Sequence, residues 1–319
     1  MNRTKIAALA LAAGALGVQG TLAQDRLTIA VGGRGIGETF ITEVGDRAGL
    51  FRKHNLLLDI FYTDGGGETQ QAVISDSAQV GVSAGLLGAI AVFSKGAPIR
   101  IIGGAHTGGS QLFWYVPAAS PMKLVRDLEG KKVAYSTGGS STHAGLLALQ
   151  QHYNVNFIMT RTGNAAATMT ATMSGQVDAG WAGAPFGVSE LEEGKTRLIM
   201  KSSEAPEFDK QTSRVLIANA NELKARPDVF TRYLRGYRDS IAWIYSSHEG
   251  LKAYGAFAKL SEATAERALH EFLPLAAVNP DRVSGIDEVM ADAIAFKFIA
   301  APLSKEQIAE LIQIPERHR

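Results

Sequence analysis

"SQLFWYVPAAS", residues 110–120, decides how the chain is read. Its core is rich in aromatic and β-branched residues, which predicts a strand. No helix comes before it. Upstream, strands and helices alternate in the rhythm of an α/β sheet. "RLTIAVGG" (26–33) alternates apolar and polar residues and ends in glycines, a strand with a tight loop. "ETFITEVGDRAGLFRKHN" (38–55) places Phe40, Ile41, Val44 and Ala48 at helical spacing, and Asn55 suits a left-handed cap. "LLLDIFYT" (56–63), "QVGVSAG" (79–85) and "PIRIIGGAH" (98–106) are further strands, separated by "ETQQAVISD" and "LLGAIAVFSKG" as helices. A mostly parallel sheet is expected from that order. A strand that follows another directly, as 110–120 does, is what a chain passing from one sheet to a second would produce. Phe113 and Trp114 on it must face opposite ways.

The alternation then restarts. "KKVAYSTGG" (131–139) is a strand and glycine turn, followed by "VNFIMT", "QVDAGWAG", "RLIMKSS" and "SRVLIAN" as strands, with helices between the first three. From Asn221 onward the chain reads as helices. Pro227 stands at the start of one whose apolar face runs through Phe230, Leu234, Ile241 and Ile244. Residues 65–85, "GGGETQQAVISDSAQVGVSAG", resemble residues 163–183, "GNAAATMTATMSGQVDAGWAG". Each has a glycine-containing loop, a helix, and Gln-Val entering a short strand of small residues. The copies lie on either side of the crossing, as two similar lobes would place them.

Arg3 and Lys5 precede an uncharged Ala/Leu-rich stretch from Ile6 to Val18, and Thr21-Leu22-Ala23 forms a small-x-small cleavage site. Residues 1–23 therefore read as a cleavable secretory signal peptide. No later segment has the ~18 uninterrupted apolar residues of a membrane helix. Cleavage would leave 296 of the 319 residues, enough for two lobes. It would remove two basic residues and no acid, turning a formal charge of +1 into −1. That balance speaks against nucleic acid as a partner. The cysteine count is zero, so there is no disulfide, thiol nucleophile or thiolate ligand.

The residues with chemical potential fall in three places. Gly138 to His143 opens a helix near Ser141. The first N–H groups of a helix lack intrahelical acceptors and carry partial positive charge, so this turn has the means to cradle an anion. Ser140, Ser141 and Thr142 would add hydroxyls. The same residues also serve as an ordinary helix cap. A serine nucleophile elbow needs Gly-x-Ser-x-Gly, and after Gly139 and Ser141 the next position is His143. The loop "GGRGIGETF" (32–40) lacks the dinucleotide fingerprint, because Glu38 or Phe40 stands where its third glycine belongs. It remains a glycine-rich loop at the carboxyl end of a strand, where such sheets bind ligands, and it carries Arg34, Gly35 and Ile36. The third group is the ends of the short strands, with Ser83 and Ala84 in one and Trp181 and Ala182 in the other. Trp181 between glycines suits a pocket wall, or else the lobe's own core. The seven histidines are scattered, with no spacing that binds metal.

Several blocks together resemble the periplasmic substrate-binding proteins of ABC importers, in the nitrate/sulfonate/taurine (SsuA/THI5-like) group. They are "AGLFRKHNLLLDI" (48–60, with Asn55 where the group usually has glycine), residues 65–82 (with Gln79 near the usual acidic position), "FSKGAPIRIIGG" (93–104), "DLEGKKVAYSTGGSSTH" (127–143) and "MSGQVDAGW" (173–181). The resemblance implies a type II periplasmic-binding-protein fold, two α/β lobes joined by two crossing strands with ligand in the cleft. Lobe 1 would be residues 24–110 plus 221–319, and lobe 2 residues 111–220. The function implied is capture of a small organic anion, such as a sulfonate or carboxylate, and its delivery to an ABC permease in the inner membrane. The implied ligand contacts are Arg34, Gly35, Ile36, Ser83, Ala84, Ser140, Ser141, Thr142, His143, Trp181 and Ala182. No catalytic residue, cofactor or metal is expected; the protein would be a periplasmic monomer. The group also holds enzymes on this fold, a pyrimidine-precursor synthase and a desulfinase, whose cysteines this chain lacks. A sensor presenting ligand to a membrane receptor is the other alternative.

Overall fold

A computed structural model describes residues 24–315; the expected signal peptide at 1–23, together with His318, lies outside the described residues. The chain first lays down β1 (Asp25–Gly32), α1 (Phe40–Arg47), β2 (Leu56–Thr63), α2 (Gly66–Ile74), β3 (Val80–Gly85), α3 (Leu86–Phe93) and β4 (Ile99–Thr107). It then crosses and forms β5 (Leu112–Pro117), β6 (Lys132–Tyr135), α4 (Ser141–Tyr153), β7 (Ile158–Arg161), α5 (Ala165–Met173), β8 (Gly180–Gly183) and β9 (Thr196–Lys201). It returns as β10 (Thr212–Asn219), and helices such as Pro227–Ser246 and His248–Ala258 follow.

The first sheet has the order β2-β1-β3-β10-β4. In it β1 is parallel to β2 and β3, while β10 is antiparallel to both β3 and β4. In the second lobe β5 is antiparallel to β8 and β9, and β6 is parallel to β7. A bridge from Val133 to Ala179, beside β8, joins the two pieces. The second lobe thus runs β7-β6-β8-β5-β9, the same plan as the first. The similar segments 65–85 and 163–183 fall on α2–β3 and α5–β8, equivalent places in the two lobes.

The first sheet is mostly parallel, as expected, and each sheet takes in one antiparallel strand from the chain arriving from the other lobe. One expectation needs amending: the boundary at 220 comes too late. Residues 212–219 already belong to the first sheet, where their "TSRVLIAN" run is buried throughout between β3 and β4.

Alternation along the strands supplies each face with a core. Leu27, Ile29 and Val31 of β1, with Leu216 and Ala218 of β10, share one cluster with Phe40, Val44, Tyr233 and Tyr237. Val215 and Ile217 point the other way and join Val73, Leu86 and Ile90 of α2 and α3. In the second lobe Trp114 and Trp181 are register partners. Both lie in the cluster with Val133, Leu146 and Leu149, while Phe113 and Tyr115 face the opposite side with Ala182 and Val188. The Trp114 indole is satisfied by donating Nε1 to Ala134 O at 2.8 Å. Burying a side chain of this size contributes roughly 1.5–3 kcal/mol. Among the described residues no helix is long and apolar enough to cross a membrane.

Candidate functional site

The two crossings each bring one polar side chain to the seam between the lobes. Gln111 stands just ahead of β5. Arg214 lies on β10, in register with His106 of β4 on one side and Gly85 of β3 on the other. An arginine 2% exposed must be paired to be tolerated. Arg214 donates Nη1 to Glu38 Oε2 at 3.2 Å and to Gln111 Oε1 at 3.0 Å, and Nε to Ser141 Oγ at 2.8 Å. Gln111 in turn donates Nε2 to the same Glu38 oxygen at 3.2 Å, so both ends of its amide are engaged. The bond to Ser141 links the first sheet directly to the start of α4 in the other lobe.

Glu38 reaches this point because the loop after β1 turns sharply. Gly37 has φ +49, and a Cβ there would collide with Gln111 Oε1 and Arg214 Nη1. The turn is pinned by Thr39 Oγ1 donating to Ile36 O at 2.6 Å, and to the other lobe by Gly37 N donating to Ala184 O at 2.8 Å. Burial pushes the Glu38 carboxyl up, but Arg214, then His106, then local hydrogen bonding outweigh it and leave it below its usual range. Ser83 also favours the charged form by its proximity, although its Oγ meets no partner in hydrogen-bonding geometry. Ser83 adopts φ +66, a strained conformation for a residue with a side chain and of a kind that clusters at functional sites. Burial lowers the pKa of His106 to about 4, against the pull of Glu38, so its imidazole is neutral at pH 7.

The second lobe contributes hydroxyls and a helix end. Ser140 caps α4, its Oγ accepting from His143 N at 3.2 Å. Ser136 donates Oγ to Ser140 Oγ at 2.9 Å and N to Thr142 Oγ1 at 2.9 Å. The hydroxyls of Ser140 and Thr142 are therefore committed to shaping the turn, while Ser141 meets Arg214. The turn packs closely on the first lobe, where Gly85 and Gly88 leave room for the Gly139 carbonyl. One rim is closed by Arg161 to Glu68 at 2.5 Å, Asn164 Nδ2 to Asp64 Oδ1 at 2.8 Å and Gly67 N to Thr137 Oγ1 at 3.0 Å.

Of the residues singled out in the sequence, Ser83 and Ser141 join this cluster directly. Ser140 and Thr142 hold the turn behind it. Ile36 bridges to Pro185 across the seam, and Ala84 is buried with it in the apolar cluster common to both lobes. Gly35, at φ +76, supplies the turn that precedes them. Arg34 goes elsewhere: it is exposed, ion-paired to Glu43 at 3.2 Å, with its guanidinium over Tyr62 and Phe257. His143 stacks on Tyr135, with ring centroids 4.6 Å apart, and takes a hydrogen bond from Gly139 N. Ala182 is on the Phe113 side of β8, away from Trp181. Trp181 packs opposite Trp114, its Nε1 buried without a hydrogen-bond partner.

Glu38, His106, Gln111 and Arg214 were not singled out from sequence. The lone arginine inside the apolar run "SRVLIAN" is the one sequence signal that could have found Arg214.

The cluster pairs a fixed cation with a carboxylate and the N-terminal end of α4. It does not assemble a nucleophile. The Ser110 hydroxyl, 3.5 Å from His106 Nε2, donates to Phe272 O at 2.9 Å. Among the described residues no group of His, Cys, Asp and Glu could hold a metal ion.

The family model described as NMT1/THI5 like matches residues 41–249, more than half of the 319. The chain belongs to the NMT1/THI5-like family. No curated protein matches its sequence. Among solved structures, this NMT1/THI5-like protein is similar to the alkanesulfonate-binding protein SsuA from Xanthomonas axonopodis pv. citri bound to MOPS. That match has a TM-score of 0.76 and 18% identity over 91% of this chain and 98% of that one. It is also similar to the periplasmic aliphatic sulphonate binding protein SsuA from Escherichia coli, with TM-score 0.68 and 19% identity over 92% and 94% of the two chains. The desulfurization enzyme DSZB matches at TM-score 0.55 and 13% identity, over 88% of this chain and 96% of that one. At these identities the likeness establishes the fold, that of type II periplasmic binding proteins, with two α/β lobes. Binders and an enzyme share that fold, so function must be argued from the site.

Proposed function

We propose that this NMT1/THI5-like protein is an extracytoplasmic solute-binding protein, exported by residues 1–23, that closes on a small organic acid and delivers it to an ABC permease of the inner membrane. The contact that carries the reading is Arg214 Nε to Ser141 Oγ, 2.8 Å. It brings a guanidinium from one lobe against a helix start from the other. A helix N-terminus presents unpaired N–H groups and about half a positive charge, and arginine matches carboxylate and sulfonate oxygens well. A ligand touching both would favour the closed arrangement of the lobes over an open one. Ser141, Arg214 and Gln111 are the proposed polar contacts, with Ile36 and Ala84 as apolar neighbours. Binding rather than catalysis is supported by the absence of cysteine and by the commitment of the Ser110 hydroxyl to a carbonyl and of the Ser136 hydroxyl to the Ser140 cap.

A thermal-unfolding screen against sulfonates, carboxylates, nitrate and pyrimidines tests this. A ligand at ~100 times its dissociation constant adds about 2.7 kcal/mol to stability. Arg214→Lys, which keeps the charge but loses the planar fork, should abolish most of that increment. Failure of every class to stabilise the protein sinks the reading.

A further inference from the structure

Export by cleavage after Ala23 makes Gln24 the first residue of the mature chain. A glutamine in first position holds a free α-amine and a carboxamide on one short arm, spaced to close a small lactam ring. The fold leaves both groups unengaged. Gln24 is exposed and precedes β1, and among the described residues its carboxamide has no hydrogen-bond partner. The next residue is fixed. Asp25 donates its backbone N–H to Asn55 O at 3.1 Å, the first rung of β1 on β2, and its carboxylate accepts from Arg232 Nη2. An exposed residue tethered to a fixed one can fold its amine onto its own side chain, and an intramolecular attack of this kind has a high effective concentration. The end is also worth sealing. β1 lies between β2 and β3, so trimming past Gln24 would remove the Asp25 ion pair and begin to strip an interior strand of the first sheet.

We infer that Gln24 is a modification site, which cyclises to pyroglutamate once residues 1–23 are removed. The neutral amine nitrogen attacks Cδ. The N–Cδ bond forms, the bond from Cδ to Nε2 breaks, and a proton from the amine leaves with the departing nitrogen as ammonia. No oxidant or second substrate is consumed. An α-amine titrates at about 7.7–8.0, so part of the population is neutral and reactive near pH 7. The ring carries no terminal charge and presents no amine to an aminopeptidase. The inference rests on the export proposed above.

The full precursor, expressed in a Gram-negative host and recovered from the periplasm, tests it by intact mass and by amine labelling of the N-terminal peptide. The chain should begin at residue 24, be lighter by one ammonia and resist labelling at that end, with conversion complete after incubation at neutral pH. Gln24→Ala, which cannot cyclise, should keep its full mass and be shortened by an added aminopeptidase that leaves the wild type intact. A mature chain that begins at Gln24 and keeps its ammonia and its reactive amine overturns the inference and leaves export standing. Equal resistance of the two chains to the aminopeptidase overturns the sealing role. Recovery of the uncleaved 319-residue chain, or a start at any other residue, overturns the inference together with cleavage after Ala23.

Discussion

The two lobes share one strand plan and supply opposite chemistry to the seam. The first lobe brings side-chain charge, Glu38 from the loop after β1 and Arg214 from β10, with the neutral imidazole of His106 on β4 beside them. The second brings neutral groups: the hydroxyl of Ser141 and the dipolar start of α4, stiffened by Ser136, Ser140 and Thr142. A common scaffold therefore does not dictate the character of its loops. Position in the plan fixes where a residue will sit, and the residue type decides what it does there. The contrast also divides the cost. Charges in the first lobe must be paired to be buried at all, while the second lobe's turn satisfies itself locally.

The sharpest way to break this contrast is Arg214→Ala. It leaves Glu38 buried beside no cation, and a loss of about 3–5 kcal/mol is expected in denaturant unfolding. His106 gives the next largest effect. Its folded pKa of about 4 lies below its ordinary 6.5. Between those values the unfolded chain takes up a proton that the folded chain refuses, so stability falls as pH drops from 6.5 to 4, by about 3 kcal/mol at the lower end. Glu38, with its depressed carboxyl, adds to the loss only below the ordinary carboxylate range. His106→Gln should flatten the stability profile between pH 6.5 and 4; an unchanged slope would mean that another group carries it. In the second lobe Ser140→Ala removes the cap of α4 and the Ser140 link to Ser136 and Thr142. It should cost about 1 kcal/mol, measured by the same unfolding curves, and leave the acid dependence of the first lobe intact.

Much of the scaffold could be read from the sequence because it is written in local signals. A strand at 112–117 with no helix before it marked the crossing, and Gly-Gly-Ser-Ser-Thr marked the cap at Ser140. Pairing partners were less accessible. "SRVLIAN" was recognisable as a strand, but periodicity carries no information about which sheet a strand joins, and the return to the first lobe was placed after it. The charged half of the site was hidden for a related reason. Glu38 opens a stretch that looks like an ordinary amphipathic helix, and Gln111 and His106 stand far from Arg214 in the chain. Only folding brings the four together. Arg34 is ambiguous in the sequence because a loop arginine beside glycines fits a ligand role as well as the surface pairing with Glu43 that it makes.

The placement of β10 has a consequence for the order of assembly. It is hydrogen-bonded between β3 and β4, which are separated from it by more than a hundred residues along the chain. Until residues 212–219 arrive, β3 and β4 lack the partner that lies between them and present unpaired edges. The second lobe's strands, β5 to β9, come from one continuous stretch and need no such late arrival. The inserted lobe is therefore the natural early folding unit, and the lobe that begins the chain is the one completed last.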